Sequence, residues 1–268
     1  MYNIIIIKLY ESVAIMEVLL NRLGCIIDDI RRDLCKLDIR EEQTYKYLMF
    51  RLYDKIVLTM CEVFVLLKNE YPEGGLSLTR NIYEGIVIMN YIYKNSNDEE
   101  LIYRFFDASE ITRLKLWNEH LKLIKDGSKV EKQIEENEKE IEKYRTKYVS
   151  DGYNSKDILK NDYWWAGKGK NFSSMSKKTD FPKEVNYVYM NKILHLNAYS
   201  VLNYIYEPEN KIHIGNNKLG LVVPFRYSLS YFFLGTMMIA EVISEIEFDK
   251  YSFELRCIYE KLNKLKCD

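Results

Sequence analysis

The stretch YVYMNKILHLNAYS, residues 187–200, holds one of only three histidines in the chain. At helical spacing Tyr187, Asn191, His195 and Tyr199 share one face. Val188, Ile193, Leu194 and Leu196 surround them, so a polar stripe lies on an otherwise apolar helix. Polar groups on a buried face need partners, supplied by a neighbouring helix or by a ligand. A histidine titrates near neutral pH and suits either setting, as a satisfied core residue or as a general acid/base.

A second polar pair stands in LTRNIYEGIVIMNYIY, residues 78–93, where Arg80 and Glu84 are the only charges. Four residues apart, they share a face and can pair. A helix this apolar belongs in the interior. The pair there either fixes helix register or lines a polar pocket to which His195 also contributes. In the next helix Arg104, Asp107 and Glu110 either extend that region or face water.

A third group is NDYWWAGKGKNFSSMSKK, residues 161–178. Trp164, Trp165 and Phe172 are interleaved there with Lys168, Lys170, Lys177 and Lys178. Aromatics among cations can bind single-stranded nucleic acid by stacking and phosphate contact. Tryptophans equally serve as anchors that pin a loop to a core. GKGK lacks the Lys-Ser/Thr that completes a phosphate-binding loop. No His, Asp, Glu or Cys grouping has metal-ligand spacing, and no nucleophile elbow or dinucleotide fingerprint occurs. His213 falls in a loop with no local partner. The site residues expected from these patterns are His195, Asn191, Arg80 and Glu84 for catalysis. Tyr187, Trp164, Trp165, Lys168 and Lys170 are expected to bind substrate, with no metal and no cofactor.

These residues must be positioned by helices. Only 4 prolines and 11 glycines punctuate 268 residues, of which 47% are hydrophobic. Long periodic runs with few breakers predict an all-α, single-domain bundle of seven or eight helices. Residues 1–70 read as an N-terminal helical pair, with Gly24 a place where the first helix bends or breaks. YPEGG at 71–75 reads as a loop. Residues 71–250 form the core region, with a charged helix at 129–148 and an irregular aromatic–basic loop at 149–182. Helices are expected at about 184–206 and 219–247, and a C-terminal helix fills 251–268. NSND at 95–98 ends the third helix and caps the fourth.

A net charge of −1 gives no general attraction to nucleic acid or acidic membrane. The five cysteines form no complete disulfide framework, as expected of a cytoplasmic protein. The N-terminal MYNIIIIKLYESVAIM has no basic region before its apolar run, and Lys8 and Glu11 interrupt it, unlike a signal peptide. The apolar run at 227–240 is shorter than the about 20 residues a membrane span needs, so no membrane association is expected.

RNIYE at 80–84, WWAGKGKNFSSMS at 164–176 and YVYMNKILH at 187–195 resemble a bacterial family known as domain of unknown function 5677. The resemblance spans roughly residues 70–240 and implies a helical fold with no established activity. MNKILH at 190–195 is also similar to the Arg-Asn-x-x-x-His motif of HEPN domains. That resemblance implies a metal-independent ribonuclease of a toxin or phage-defence module, acting as a homodimer on RNA beside a cognate antitoxin or defence partner. It would make His195 the acid/base and give the phosphate to the motif's arginine. That arginine position is Met190, and Asn191 and His195 match. Arg80 is one replacement cation, and Arg113 with His120 in RLKLWNEH is a second arrangement. The alternative is a non-enzymatic helical binding or regulatory protein, with Arg80, Glu84 and His195 as a buried polar cluster.

Overall fold

Apolar side chains recur every three or four residues in each long segment, and each segment folds as a helix with that stripe inward. The computed structural model describes residues 2–42, 44–124, 127–179, 187, 190, 191 and 219–264. Among these the protein is all-α. The helices are α1 (Tyr2–Leu34), α2 (Thr44–Lys68), α3 (Pro72–Lys94), α4 (Glu99–Leu123), α5 (Gly127–Ser150), α6 (Ser155–Lys160), α7 (Phe172–Ser176), α8 (Val222–Ala240) and α9 (Phe248–Lys264). Single 3-10 turns form at Trp164–Ala166 and Leu219–Leu221. No described helix is long and apolar enough to cross a membrane.

The chain divides into two compact units, Met1–Tyr93 with Phe181–Asp268, and Lys94–Asp180. In the first, α1 packs on α2 and α9, and α8 on α2 and α9. Met16, Leu20, Leu23, Ile27, Ile30 and Leu34 of α1 are all buried, the stripe its sequence period predicts. α1 runs unbroken through Gly24. That glycine is there for space: a Cβ would meet the Phe64 ring of α2 at 2.8 Å.

The third helix starts earlier than expected, because YPEGG is its first turn and not a loop. Glu70 takes a left-handed φ of 64° and ends α2, with the Tyr71 amide donating to the Leu66 carbonyl at 2.9 Å. Pro72 then opens α3, where its missing N–H costs nothing. Gly75 lets α3 close on its neighbours, since a Cβ there would lie 2.8 Å from Leu67 and 3.6 Å from Pro224. Gly75 meets Pro224, Tyr83 meets Tyr231 and Asn90 meets Met238, so α3 and α8 run parallel. Ile82, Tyr83, Ile86, Val87, Met89 and Ile92 of α3 are fully buried, as its composition predicts.

In the second unit α4 and α5 form an antiparallel pair. Asp98 caps α4, accepting the Leu101 amide at 2.9 Å. Asn137 donates to Asn118 at 2.7 Å within the otherwise apolar seam. Both amides are buried, and a polar pair of this kind sets which residues lie opposite each other. The stretch expected to be irregular holds α6, the 3-10 turn at Trp164–Ala166 and α7. Asparagines organise it. Asn154 caps α6, and Asn171 with Ser174 forms a capping box on α7.

Replacing Asn118 alone with leucine strands the Asn137 amide in the seam and should cost about 1–3 kcal/mol in urea unfolding. Changing both to leucine should recover much of that loss. Asp33 supplies a pH test. Lys36, the Tyr251 hydroxyl and Lys250 all bond its carboxylate and hold its pKa well below the usual carboxylate range. A depressed carboxylate stabilises the fold above its unfolded pKa of about 3.9 and loses that stabilisation as pH falls. Asp33→Asn should therefore flatten the stability profile below about pH 4 relative to wild type.

Candidate functional site

The α3 face that carries Arg80 and Glu84 is the point where sequence-expected site residues come together. Arg80 Nε and Nη2 each lie 3.0 Å from Glu84 Oε1, the i,i+4 pair its spacing predicts. Tyr187 donates its hydroxyl to the same oxygen at 2.8 Å. The Arg80 guanidinium sits 5.5 Å from the centre of the Tyr187 ring, a cation–π contact. The Asn191 side chain, one turn beyond Tyr187, engages the Tyr187 hydroxyl, as does Arg80. Four of the expected residues thus form one hydrogen-bonded group: Arg80, Glu84, Tyr187 and Asn191.

The group sits on an aromatic floor that sequence reading did not foresee. The Tyr83 ring lies 5.2 Å from Tyr187 on one side and 5.2 Å from Tyr231 of α8 on the other. Tyr83 directly precedes Glu84 in RNIYE, so the signal was adjacent, but only the parallel packing of α8 gives it meaning. The Arg80 and Glu84 side chains keep 29% and 22% of their surface exposed. The ion pair is therefore half-buried, and its desolvation cost is well below that of a sealed pair.

Burial opposes the Arg80 charge, but the Glu84 carboxylate and the Tyr187 hydroxyl outweigh it and raise its pKa. Burial pushes the Tyr187 phenol up, and donation to Glu84 adds to this. Asn191 and Arg80 pull it partly back. Tyr187 therefore stays protonated at neutral pH and keeps its donor role toward Glu84.

Met190 occupies the arginine position of the HEPN-like motif, and its side chain is fully buried at 0% exposure. Among the described residues, Arg80 is the cation that shares the Tyr187 hydroxyl with Asn191. The second arrangement fares differently. Arg113 is held bidentate by Glu110 at 2.7 and 2.5 Å, and the His120 ring stacks on Trp117 at 5.4 Å. His195 and His213 lie outside the described residues.

The aromatic–basic stretch belongs to the second unit. Trp164 and Trp165, expected to stack on substrate, are each 3% exposed. Trp164 packs on Tyr148 and Tyr153, and Trp165 on Phe105. Their ring faces are already covered by this chain, so they are anchors and not open stacking platforms. Arg104 donates to the Trp165 carbonyl at 3.1 Å and pairs with Asp98 and Glu100, and Asp107 bonds Lys147 and Tyr148. Arg104 and Asp107 thus brace the second unit. Lys168 is exposed, 5.5 Å from the Tyr153 ring centre, and Lys170 is half-buried. Among the described residues no group of three or more His, Cys, Asp or Glu is placed to hold a metal ion.

Removing one member of the α3 pair leaves the other half-buried and unpaired. Glu84→Ala should destabilise by about 1–2 kcal/mol in chemical unfolding. The double change Arg80→Met with Glu84→Leu should cost less than that single change.

A family described as a family of unknown function (DUF5677) matches residues 46–212. That range includes Arg80, Glu84, Trp164, Tyr187 and Asn191. No curated protein and no solved structure matches the chain. The match covers more than half of the 268 residues, and the chain belongs to the family of unknown function DUF5677.

Proposed function

We propose that this protein is a HEPN-like, RNA-directed ribonuclease of a bacterial toxin or phage-defence module, working without metal. The observation that carries the reading is the meeting of Arg80 with Asn191 through the Tyr187 hydroxyl. Arg80 then stands in for the arginine of the Asn-x-x-x-His motif, whose own arginine position is the buried Met190.

Metal-free RNA cleavage needs three things: a base for the 2′-hydroxyl, an acid for the leaving oxygen, and a cation for the charge on phosphorus. The base removes the 2′-hydroxyl proton as that oxygen bonds to phosphorus. The bond from phosphorus to the 5′-oxygen breaks, and the acid protonates that oxygen. The products are a 2′,3′-cyclic phosphate and a 5′-hydroxyl end. In this reading His195 transfers the proton and a second copy of the chain brings the second histidine. Arg80 faces the phosphate and Glu84 holds Arg80 in place.

A second reading is favoured by one specific feature. Arg80 is already engaged by both Glu84 and Tyr187, as in a non-enzymatic binding or regulatory pocket. The two readings separate on one assay, RNA cleavage by purified protein in chelator, scored beside growth arrest on expression. Wild type should cut and arrest growth, and His195→Ala and Arg80→Ala should lose both activities by at least about 100-fold. Absence of cleavage by wild type, with a His195→Ala protein that only melts earlier, would overturn the nuclease reading and leave the binding pocket.

A further inference from the structure

The α4 helix carries two stripes. Ala108, Ile111, Asn118 and Leu121 are buried, and Asn118 fixes that side against Asn137 of α5. Tyr103, Phe106, Glu110, Arg113, Trp117 and His120 form the second stripe, spaced three, four, three, four and three residues apart. That alternation is the heptad spacing by which one helix packs along another, and it runs about 26 Å. Tyr103, Trp117 and the cap residue Ile124 are exposed, and so are Leu116 and Leu123 at the stripe's edge, at 66% and 80%. Among the described residues no other helix exposes as many large apolar side chains. Trp164 and Trp165 are buried anchors, whereas Trp117 is 45% exposed with the His120 ring stacked on it. Contiguous apolar surface of this kind marks an interaction site.

The charges within the stripe select the partner. At its centre Glu110 and Arg113 are held to each other by two hydrogen bonds. The centre is therefore neutral, and an RNA phosphate arriving there would meet the Glu110 carboxylate together with the Arg113 guanidinium. A second α4 running antiparallel meets it differently. Setting Glu110 on the partner's Arg113 also sets Arg113 on the partner's Glu110, as two-fold symmetry requires. The same register sets Phe106 on the partner's Trp117 and Tyr103 on the partner's His120, each twice. All six positions of the stripe then face a group that suits them. A parallel pair would set Glu110 on Glu110 and Arg113 on Arg113, which repel.

We propose that α4 pairs antiparallel with α4 of a second copy of this chain, in the register that joins Glu110 of each copy to Arg113 of the other. The aromatic layers supply the burial, and the central charges set direction and register. Each Arg113 keeps its own Glu110 while reaching the partner's, so four charges alternate in sign about the two-fold axis. The proposal stands on α4 alone and does not depend on the ribonuclease reading: a dimer that cuts no RNA leaves it intact.

The test is the mass of the full chain in solution, read by light scattering on a sizing column. Wild type should run at twice the 32.1 kDa chain mass. Glu110→Arg puts two arginines at the centre of the stripe, and Arg113→Glu puts two glutamates there, so each variant alone should be monomeric. Mixed in equal amounts, the two variants should form a dimer with one copy of each, since arginines then face glutamates on both sides of the axis. A folding defect cannot produce that rescue. Trp117→Lys, at an exposed position, should also be monomeric, and it decides the matter where a charge variant loses its helical circular dichroism. A monomeric wild type overturns the proposal and leaves the face to a different partner. A dimer that persists in the charge variants or in Trp117→Lys overturns it too, as does a mixture of folded charge variants that stays monomeric.

Discussion

Glu84 Oε1 accepts from Arg80 twice and from the Tyr187 hydroxyl once. The polar group on α3 depends on this shared acceptor. It draws the guanidinium along α3 and across the Tyr187 ring, and it consumes the phenol proton. With that proton given to Glu84, the Tyr187 oxygen is left to accept, and the Asn191 side chain engages it. One carboxylate oxygen thus joins Arg80 on its own helix to Tyr187, 103 residues further along the chain.

The scaffold that allows this is apolar and close-packed. Gly75, Gly85 and Gly235 bring α3 against α2 and α8 at distances a side chain would forbid, with Cβ positions 2.8 to 3.0 Å from Leu67, Ile56 and Ile86. The buried rows of α2, α3 and α8 supply the bulk of the stabilisation, at about 25 cal/mol for each Å² of apolar surface removed from water. A half-exposed ion pair adds little to such a total. The apolar rows, and not this polar group, therefore carry the stability of the first unit.

How much was legible in the sequence follows from which interactions are local. The α1 stripe, the cap at Asp98 and the Arg80–Glu84 pair are set within a turn or two of helix, and spacing alone revealed them. The buried fate of Trp164 and Trp165 depends on Tyr148, Tyr153 and Phe105, which only the folded second unit brings near. Their lysine neighbours gave a nucleic-acid signature that composition cannot distinguish from an anchored turn. YPEGG contains three residues that usually mark loops, yet Pro72 is well suited to the first turn of a helix and Gly75 to a close helix crossing. The Asn118–Asn137 bond joins residues whose opposition depends on how α4 and α5 fold back on each other. Tyr83 was in plain view beside Glu84, but its place between Tyr187 and Tyr231 requires the parallel run of α8.

Glu84 and Tyr187 act as one unit, joined by the hydrogen bond between them. A double-mutant cycle with Glu84→Ala and Tyr187→Phe, read by urea unfolding of the two single variants and the double variant, measures that dependence. The expected coupling is about 1 kcal/mol or more, because either change alone removes the same hydrogen bond. Additivity within about 0.3 kcal/mol would contradict it, leaving the two side chains as neighbours that do not depend on each other.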